Sequence, residues 1–250
     1  MRRLLGAMAL TAFLAVPGTP TRADEKDLTP LLDKAIAALG GEEKLAKAAN
    51  ATWKGQGTLT FEENETAIKT KTTVQGLDHH RAEFEMDFNG NEVKGLTILD
   101  GDKGWRKFGD DLQDLDDDAI AAEKHRAYLQ AVPTILPLKG KGFKLESAPE
   151  EKVDGKPADV IKGTGPDGKK FTLYLDKESS LPVRLSATVK GWQGEDFVQD
   201  TTFSDYKEFD GVKRATKSES KRDGNPFVKV EMSEFKVIDK PDAKAFAEPN

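Results

Sequence analysis

Most of this chain is written in a period of two. In VIKGTGPDGKKFTLYLDKESSLPVRLSATV, residues 160–189, Phe171, Leu173 and Leu175 fall on one side and Thr172, Tyr174 and Asp176 on the other. After a turn at Lys177–Ser180, Val183, Leu185, Ala187 and Val189 repeat the alternation. This is the pattern of antiparallel strands with one dry and one wet face. The same period opens at Thr52. Trp53, Leu59 and Phe61 share a face with Gly55 and Gly57 between them, opposite Lys54, Gln56, Thr58 and Thr60. Residues 66–75 form a Thr-rich strand candidate, and AEFEMDF (82–88) sets Ala82, Phe84, Met86 and Phe88 against Glu83, Glu85 and Asp87. Asn89-Gly90 and Asp100-Gly101 turn around Val93–Leu99, and Asp-Gly recurs at 154–155, 167–168, 210–211 and 223–224. Such pairs supply the positive φ of tight hairpins, so the spacing predicts a meander of roughly ten or eleven strands. A twisted antiparallel sheet of that width tends to curl or close. The expected class is therefore mainly β (α+β): a large curled antiparallel sheet forming an incomplete, half-open barrel.

Two stretches break the alternation. Leu28–Ala49 reads as helix, with Thr29-Pro30 at its start and Leu31, Leu32, Ala35, Ile36 and Leu39 at helical spacing. Gly40-Gly41 interrupts it before a shorter piece carrying Leu45 and Ala48. DLQDLDDDAIAAEKHRAYLQAVPTILP (111–137) begins with a run of Asp, favourable at a helix N-terminus, and ends at Pro133 and Pro137. Its stripe of Leu115, Ala119, Ala122, Leu129 and Val132 is narrow and Ala-rich, which predicts a helix only lightly anchored by burial. These two helical regions are expected to cap the concave face.

The first residues change the compartment. Arg2 and Arg3, the apolar run Leu4–Val16 and the small-residue site Thr21-Arg22-Ala23 read as a secretory leader cleaved after Ala23. That run is too short to span a bilayer. Residues 24–250 then form one domain, expected to be periplasmic. The formal charge of −6 becomes −9 once Arg2, Arg3 and Arg22 leave. A net acidic surface argues against nucleic acid as a partner, and against holding to anionic lipid by charge alone. With no Cys, the chain has neither disulfides nor an acylated N-terminal cysteine, so its core must stand unaided.

Catalytic chemistry is sparse. No thiol is available, no G-x-S-x-G occurs, and the histidines are His79, His80 and His125. Adjacent strand histidines point to opposite faces and cannot chelate one metal, so His79 and His80 read as a solvated strand start and His125 as exposed on its helix. DGDKGW (100–105) faintly resembles a calcium loop, but Trp105 stands where Gly is required and Asp111 where Glu is expected. NAT (50–52) and NET (64–66) fit glycosylation sequons, which matter only on a eukaryotic secretory route. No enzyme activity, cofactor or metal is expected.

Taken in order, ALGGEEKL (38–45), the glycine-spaced WKGQGTL, LDGDKGW, the mid-chain helix, VDGKPADVIKG, TLYLDKESSLPVRL, YKEFDGVKRATK and a late Phe before the final Pro resemble the outer-membrane lipoprotein-sorting proteins, the LolA/LolB-like superfamily. The resemblance runs over nearly all of the mature chain. It implies a sheet curled into an incomplete barrel with helices over its mouth, and a role in carrying lipoproteins or other acylated envelope ligands. Arg81, placed before a strand, is the candidate for that family's latch arginine. The missing N-terminal Cys sets the chain apart from the membrane-anchored acceptor of the family. Joined to the alternation, the resemblance implies a hydrophobic lining of Trp53, Leu59, Phe61, Phe84, Met86, Phe88, Phe171, Leu173, Leu175, Val183 and Leu185. The partners implied are lipoprotein acyl chains or lipid, and an envelope protein. Two other classes remain: a non-catalytic envelope interaction module with a solidly packed sheet, and, more remotely, a secreted hydrolase.

Overall fold

The computed structural model describes residues 27–249 except 62, 63, 89, 192, 193 and 241. The leader and its cleavage after Ala23 lie outside the described residues. Helices α1 (Thr29–Leu39) and α2 (Glu42–Lys47) precede six strands: β1 (Asn50–Phe61), β2 (Asn64–Gln75), β3 (His79–Phe88), β4 (Asn91–Asp100), β5 (Lys103–Phe108) and β6 (Asp111–Asp114). Helix α3 (Asp117–Ala131) and two 3₁₀ turns, Val132–Thr134 and Leu136–Lys139, follow. Seven more strands complete the sheet: β7 (Lys144–Val153), β8 (Lys156–Thr164), β9 (Lys170–Asp176), β10 (Pro182–Lys190), β11 (Asp196–Phe209), β12 (Val212–Arg222) and β13 (Asn225–Val237). A 3₁₀ turn at Ala243–Phe246 is the last element among the described residues.

All thirteen strands among the described residues lie in one antiparallel sheet, ordered β6-β5-β4-β3-β2-β1-β13-β12-β11-β10-β9-β8-β7. It consists of two meanders joined where β1 pairs with β13. The sheet is open, with β6 and β7 at its ends, and it is less curled than the expected half-barrel. Separate pieces of chain cover the apolar surface that closure would otherwise cover. The strand count exceeds the expected ten or eleven. One unforeseen strand, β6, is exposed at every residue and has no apolar face to alternate, so it was hidden inside the expected helix.

The hairpins follow from their turn residues. Asp154-Gly155, Asp210-Gly211 and Asp223-Gly224 each place both residues at positive φ, as a type I′ turn requires. Helix α1 begins where the Asp27 carboxylate accepts from the Thr29 N–H at 2.9 Å, and it stops at Gly40, φ 123°. A Cβ on Gly40 would stand 2.2 Å from the Gly211 carbonyl, so this glycine lets α1 sit directly on the β11–β12 turn.

The main core lies on one face of the sheet. Leu32, Ile36 and Leu39 of α1 and Leu129 of α3 pack on Phe171, Leu173, Leu175, Leu185 and Val212. On the opposite face Val160 and Tyr174 form a small cluster, and Phe246 covers Ile98 and Trp105. The alternation along β10 is broken by a bulge between Pro182 and Arg184. Val183 is consequently packed with the opposite-face cluster rather than with Leu185, a correction to the expected common face.

The α1–sheet contact is directly testable. Gly40→Ala should cost more than about 1 kcal/mol in urea melts, because strained φ and a backbone clash act together. Gly41→Ala, also at positive φ but facing open space, should cost less. Equal costs would show that the close approach of α1 to Gly211 carries no weight.

Candidate functional site

The chain leaves the sheet at one end, β6, and re-enters at the other, β7, so the connecting segment has to cross a face. Helix α3 makes that crossing. Its first turn is set by Asp116, whose carboxylate accepts from the Ala119 N–H at 2.8 Å. Its anchoring differs from the expectation. The buried positions include two polar residues, Glu123 and His125, beside Ala127, Tyr128 and Leu129. Glu123 accepts from Arg106 Nη2 of β5 at 2.9 Å and from Arg126 Nη1. Arg126 Nη2 donates on to the Lys190 carbonyl of β10 at 2.8 Å. His125, 1% exposed, lies between Asp167 Oδ2 (2.6 Å from Nδ1) and the Thr188 carbonyl (2.8 Å from Nε2). A carbonyl only accepts, so Nε2 carries a proton. Tyr128 donates to the other Asp167 oxygen at 2.9 Å. Burial opposes ionisation of Asp167, yet its bonds from the Lys169 N–H, Tyr128 and His125 hold it below the usual carboxylate range. The helix is thus tied to β5, to β10 and to the β8–β9 turn by buried polar contacts. His125 is not exposed as the sequence suggested, because its partners lie 42 and 63 residues away and leave no local trace.

His80 is likewise buried rather than solvated. Its Nε2 is 2.9 Å from Gln130 Oε1 of α3, while Nδ1 has no partner. His79, on the other face, pairs with Asp100 at 3.0 Å and packs against the Phe246 ring. Arg81 also lies on that face, bonded to Glu83 at 2.9 Å and to the Ala245 carbonyl, and so does not reach α3. Among the described residues no group of three or more His, Asp or Glu is placed to hold a metal ion.

Two hollows separate α3 and its neighbours from the sheet. The first, about 410 Å³, has Leu129 and Pro133 above and Leu185, Ala187 and Val189 below. The second, about 390 Å³, is bounded by α2, Leu77, Leu136 and Phe235. Each falls within the roughly 300–1,000 Å³ of small-molecule sites. Trp53, Gln130 and Arg214 border both, forming a shared neck. The floor is not uniformly greasy: Thr216, Ser218 and Ser220 of β12 line the first hollow. A larger hollow of about 870 Å³ lies against β1–β3 and β12–β13, among charged side chains such as Lys69, Glu85, Lys217 and Glu231.

The residues expected to form an apolar lining are dispersed. Trp53 and Leu185 border the first hollow. Phe171, Leu173 and Leu175 are buried in the core beneath α1 and α3, and Val183 is on the opposite face. Leu59 is half-buried further along β1, and Phe61 is 65% exposed at the strand's end. The Phe84 ring lies over Gly95 and beside Phe108, with ring centroids 6.4 Å apart. Met86 borders the charged hollow. Phe88 ends β3, and its side chain lies outside the described residues. Missed altogether were Gln130, Pro133 and the stripe Arg214, Thr216, Ser218, Ser220 and Arg222. A signal was present, since small hydroxyl residues alternate there with Lys217, Glu219 and Lys221. An apolar/polar reading counts both as wet.

No protein-family model and no curated protein matches the chain. Solved structures do match. A Vibrio parahaemolyticus domain described as an outer membrane lipoprotein-sorting protein aligns at TM-score 0.55 and 11% identity, over 87% of this chain and 94% of that one. A LolA superfamily protein from Nitrosomonas europaea aligns at TM-score 0.56 and 13% identity, over 85% and 97%. A DUF1329 family protein from Desulfovibrio piger aligns at 0.55 and 14%, over 88% and 97%. At such identities the likeness concerns architecture, and the chain shares the fold of these solved structures.

Glu123→Gln removes charge from a buried carboxylate with two arginine partners and should cost about 1.5–3 kcal/mol. Amide exchange over 117–131 should accelerate more than in β8–β10, and uniform protection would refute the anchoring. A second outcome concerns pH. Desolvation holds His80 below its usual value, partly offset by Gln130, so the fold favours the neutral ring. The contribution is complete above the unfolded value of about 6.5 and is lost as pH falls from there toward the folded value. Melting temperature should fall less steeply between pH 7.5 and 5.5 in His80→Gln than in the wild type.

Proposed function

We propose that this protein is a periplasmic carrier that holds lipoprotein acyl chains, or another acylated envelope ligand, between α3 and the sheet. The observation carrying this reading is the pair of ligand-sized hollows meeting at Trp53, Gln130 and Arg214 beneath a crossing helix tied down by polar contacts. Acyl burial is worth about 0.8 kcal/mol per CH₂, so a short stretch of apolar wall suffices for retention. Release requires a roof that can lift, and polar ties can be exchanged for water more readily than apolar packing. One solved structure named for lipoprotein sorting and one named for the LolA superfamily share the fold, which supports binding rather than catalysis. The leader read from the sequence of residues 1–23 supports export, and no helix among the described residues is long and apolar enough to cross a membrane.

The alternative, an envelope module recruiting a protein strand at a sheet edge, is less well supported by the edges themselves. At one end β6 is only Asp111–Asp114, and β7 at the other carries Pro149 and a bulge between Ala148 and Glu151. Short, charged, bulged edges discourage strand addition.

Native mass spectrometry of protein isolated from its own envelope should show bound lipid, and N-terminal sequencing should begin at Asp24. Ser218→Phe fills the first hollow and should weaken binding of a neutral fluorescent probe, N-phenyl-1-naphthylamine, at least tenfold. Glu219→Gln, on the other face, should bind as wild type. Unaltered binding in a folded Ser218→Phe variant would exclude this cavity as the site.

A further inference from the structure

The chain is acidic overall, yet three arginines, Arg126, Arg214 and Arg222, border the first hollow. Two of them have polar partners. Arg126 is paired with Glu123. Arg222 donates from Nε to Gln199 at 3.2 Å and is stacked on Phe227, its Cζ 3.6 Å from the ring centroid. Arg214 differs. Its guanidinium lies 5.2 Å from the Phe235 centroid and 5.9 Å from that of Trp53. Among the described residues it makes no ion pair and no side-chain hydrogen bond. The nearby Tyr206 hydroxyl is spent on the Pro182 carbonyl and that of Thr216 on the Asp205 carbonyl. Desolvation draws Arg214 below the usual arginine range, although the residue as a whole is half-buried rather than sealed from solvent. Five guanidinium N–H donors therefore sit at the neck between two hollows with aromatic faces as their neighbours. Aromatic faces attract a cation but accept few hydrogen bonds from it. A planar fork of this kind matches a carboxylate or phosphate in bidentate geometry.

We infer that the ligand beneath α3 is an anionic amphiphile, whose acid group is received by Arg214 while its hydrocarbon lies along the apolar walls of the hollows. This rests on the carrier reading and narrows its ligand class. The complementary group is a carboxylate or phosphate at the end of an acyl or alkyl chain. A fatty acid and a lipid phosphate supply the same chemistry. An uncharged chain of equal length would leave the guanidinium desolvated and unpaired, which disfavours its binding.

The test is displacement of N-phenyl-1-naphthylamine by dodecanoate, dodecyl phosphate and dodecanol, each below its aggregation limit. Dodecanoate or dodecyl phosphate should displace the probe at concentrations at least tenfold lower than dodecanol, and whichever is stronger identifies the head group. Arg214→Met should abolish that preference while still binding the probe, and Arg214→Lys should retain part of it. Equal displacement by dodecanol and both anions overturns the inference, as does an undiminished preference in a folded Arg214→Met variant. Should that variant not fold, the wild-type ratio still decides. Failure of the wild type to bind the probe at all would instead remove the carrier reading itself, so the two failures are distinguishable.

Discussion

A chain that leaves a thirteen-stranded sheet at one end and re-enters it at the other must carry the connection over a face, and that requirement governs the molecule. With neighbouring strands about 4.8 Å apart, twelve steps amount to roughly 58 Å along a flat sheet. The helix in the connection contributes only about 22 Å. The remainder is supplied by the extended approach at 115–116, the two 3₁₀ turns and the loop before β7. A segment stretched in this way touches the sheet at intervals, and hollows are left between the contacts.

The ties at those contacts are mostly polar. Glu123 joins α3 to Arg106 of β5, and Arg126 and His125 join it to the carbonyls of Lys190 and Thr188 in β10. Buried polar groups are costly unless satisfied, so such contacts specify one position for the helix more sharply than an alanine stripe can. They also concentrate the attachment at a few points. Between these points Leu129 of the helix and Pro133 of the following 3₁₀ turn form a roof over a floor that is part aliphatic and part hydroxyl.

Helix α1 works differently. Leu32, Ile36 and Leu39 lie on Leu173, Leu175 and Val212 in continuous apolar contact, with Gly40 pressed against Gly211. This half of the face is filled. The residues beneath α1 therefore mainly supply stability, whereas the face beneath α3 is divided between core around Phe171 and the first hollow. On the opposite face Phe246 seals Ile98 and Trp105, which removes that apolar surface from solvent without curling the sheet onto itself.

Much of this was legible in the residues. Period two across β8–β10, the Asp-Gly turns, the break at Gly40-Gly41 and the Asp-led helix before Pro133 each follow from local stereochemistry, which a sequence records directly. The bulge that turns Val183 away, the exposed strand β6, and the burial of His80 and His125 were not legible, because each depends on a partner far along the chain. The candidate site shows the same division. Trp53 and Leu185 could be picked out as apolar positions on strands, yet Phe171, Leu173 and Leu175 look identical in sequence and lie in filled core. Alternation tells which face a side chain takes. Which part of that face is packed and which is left hollow depends on where α1 and α3 come to rest, and only the tertiary structure decides that.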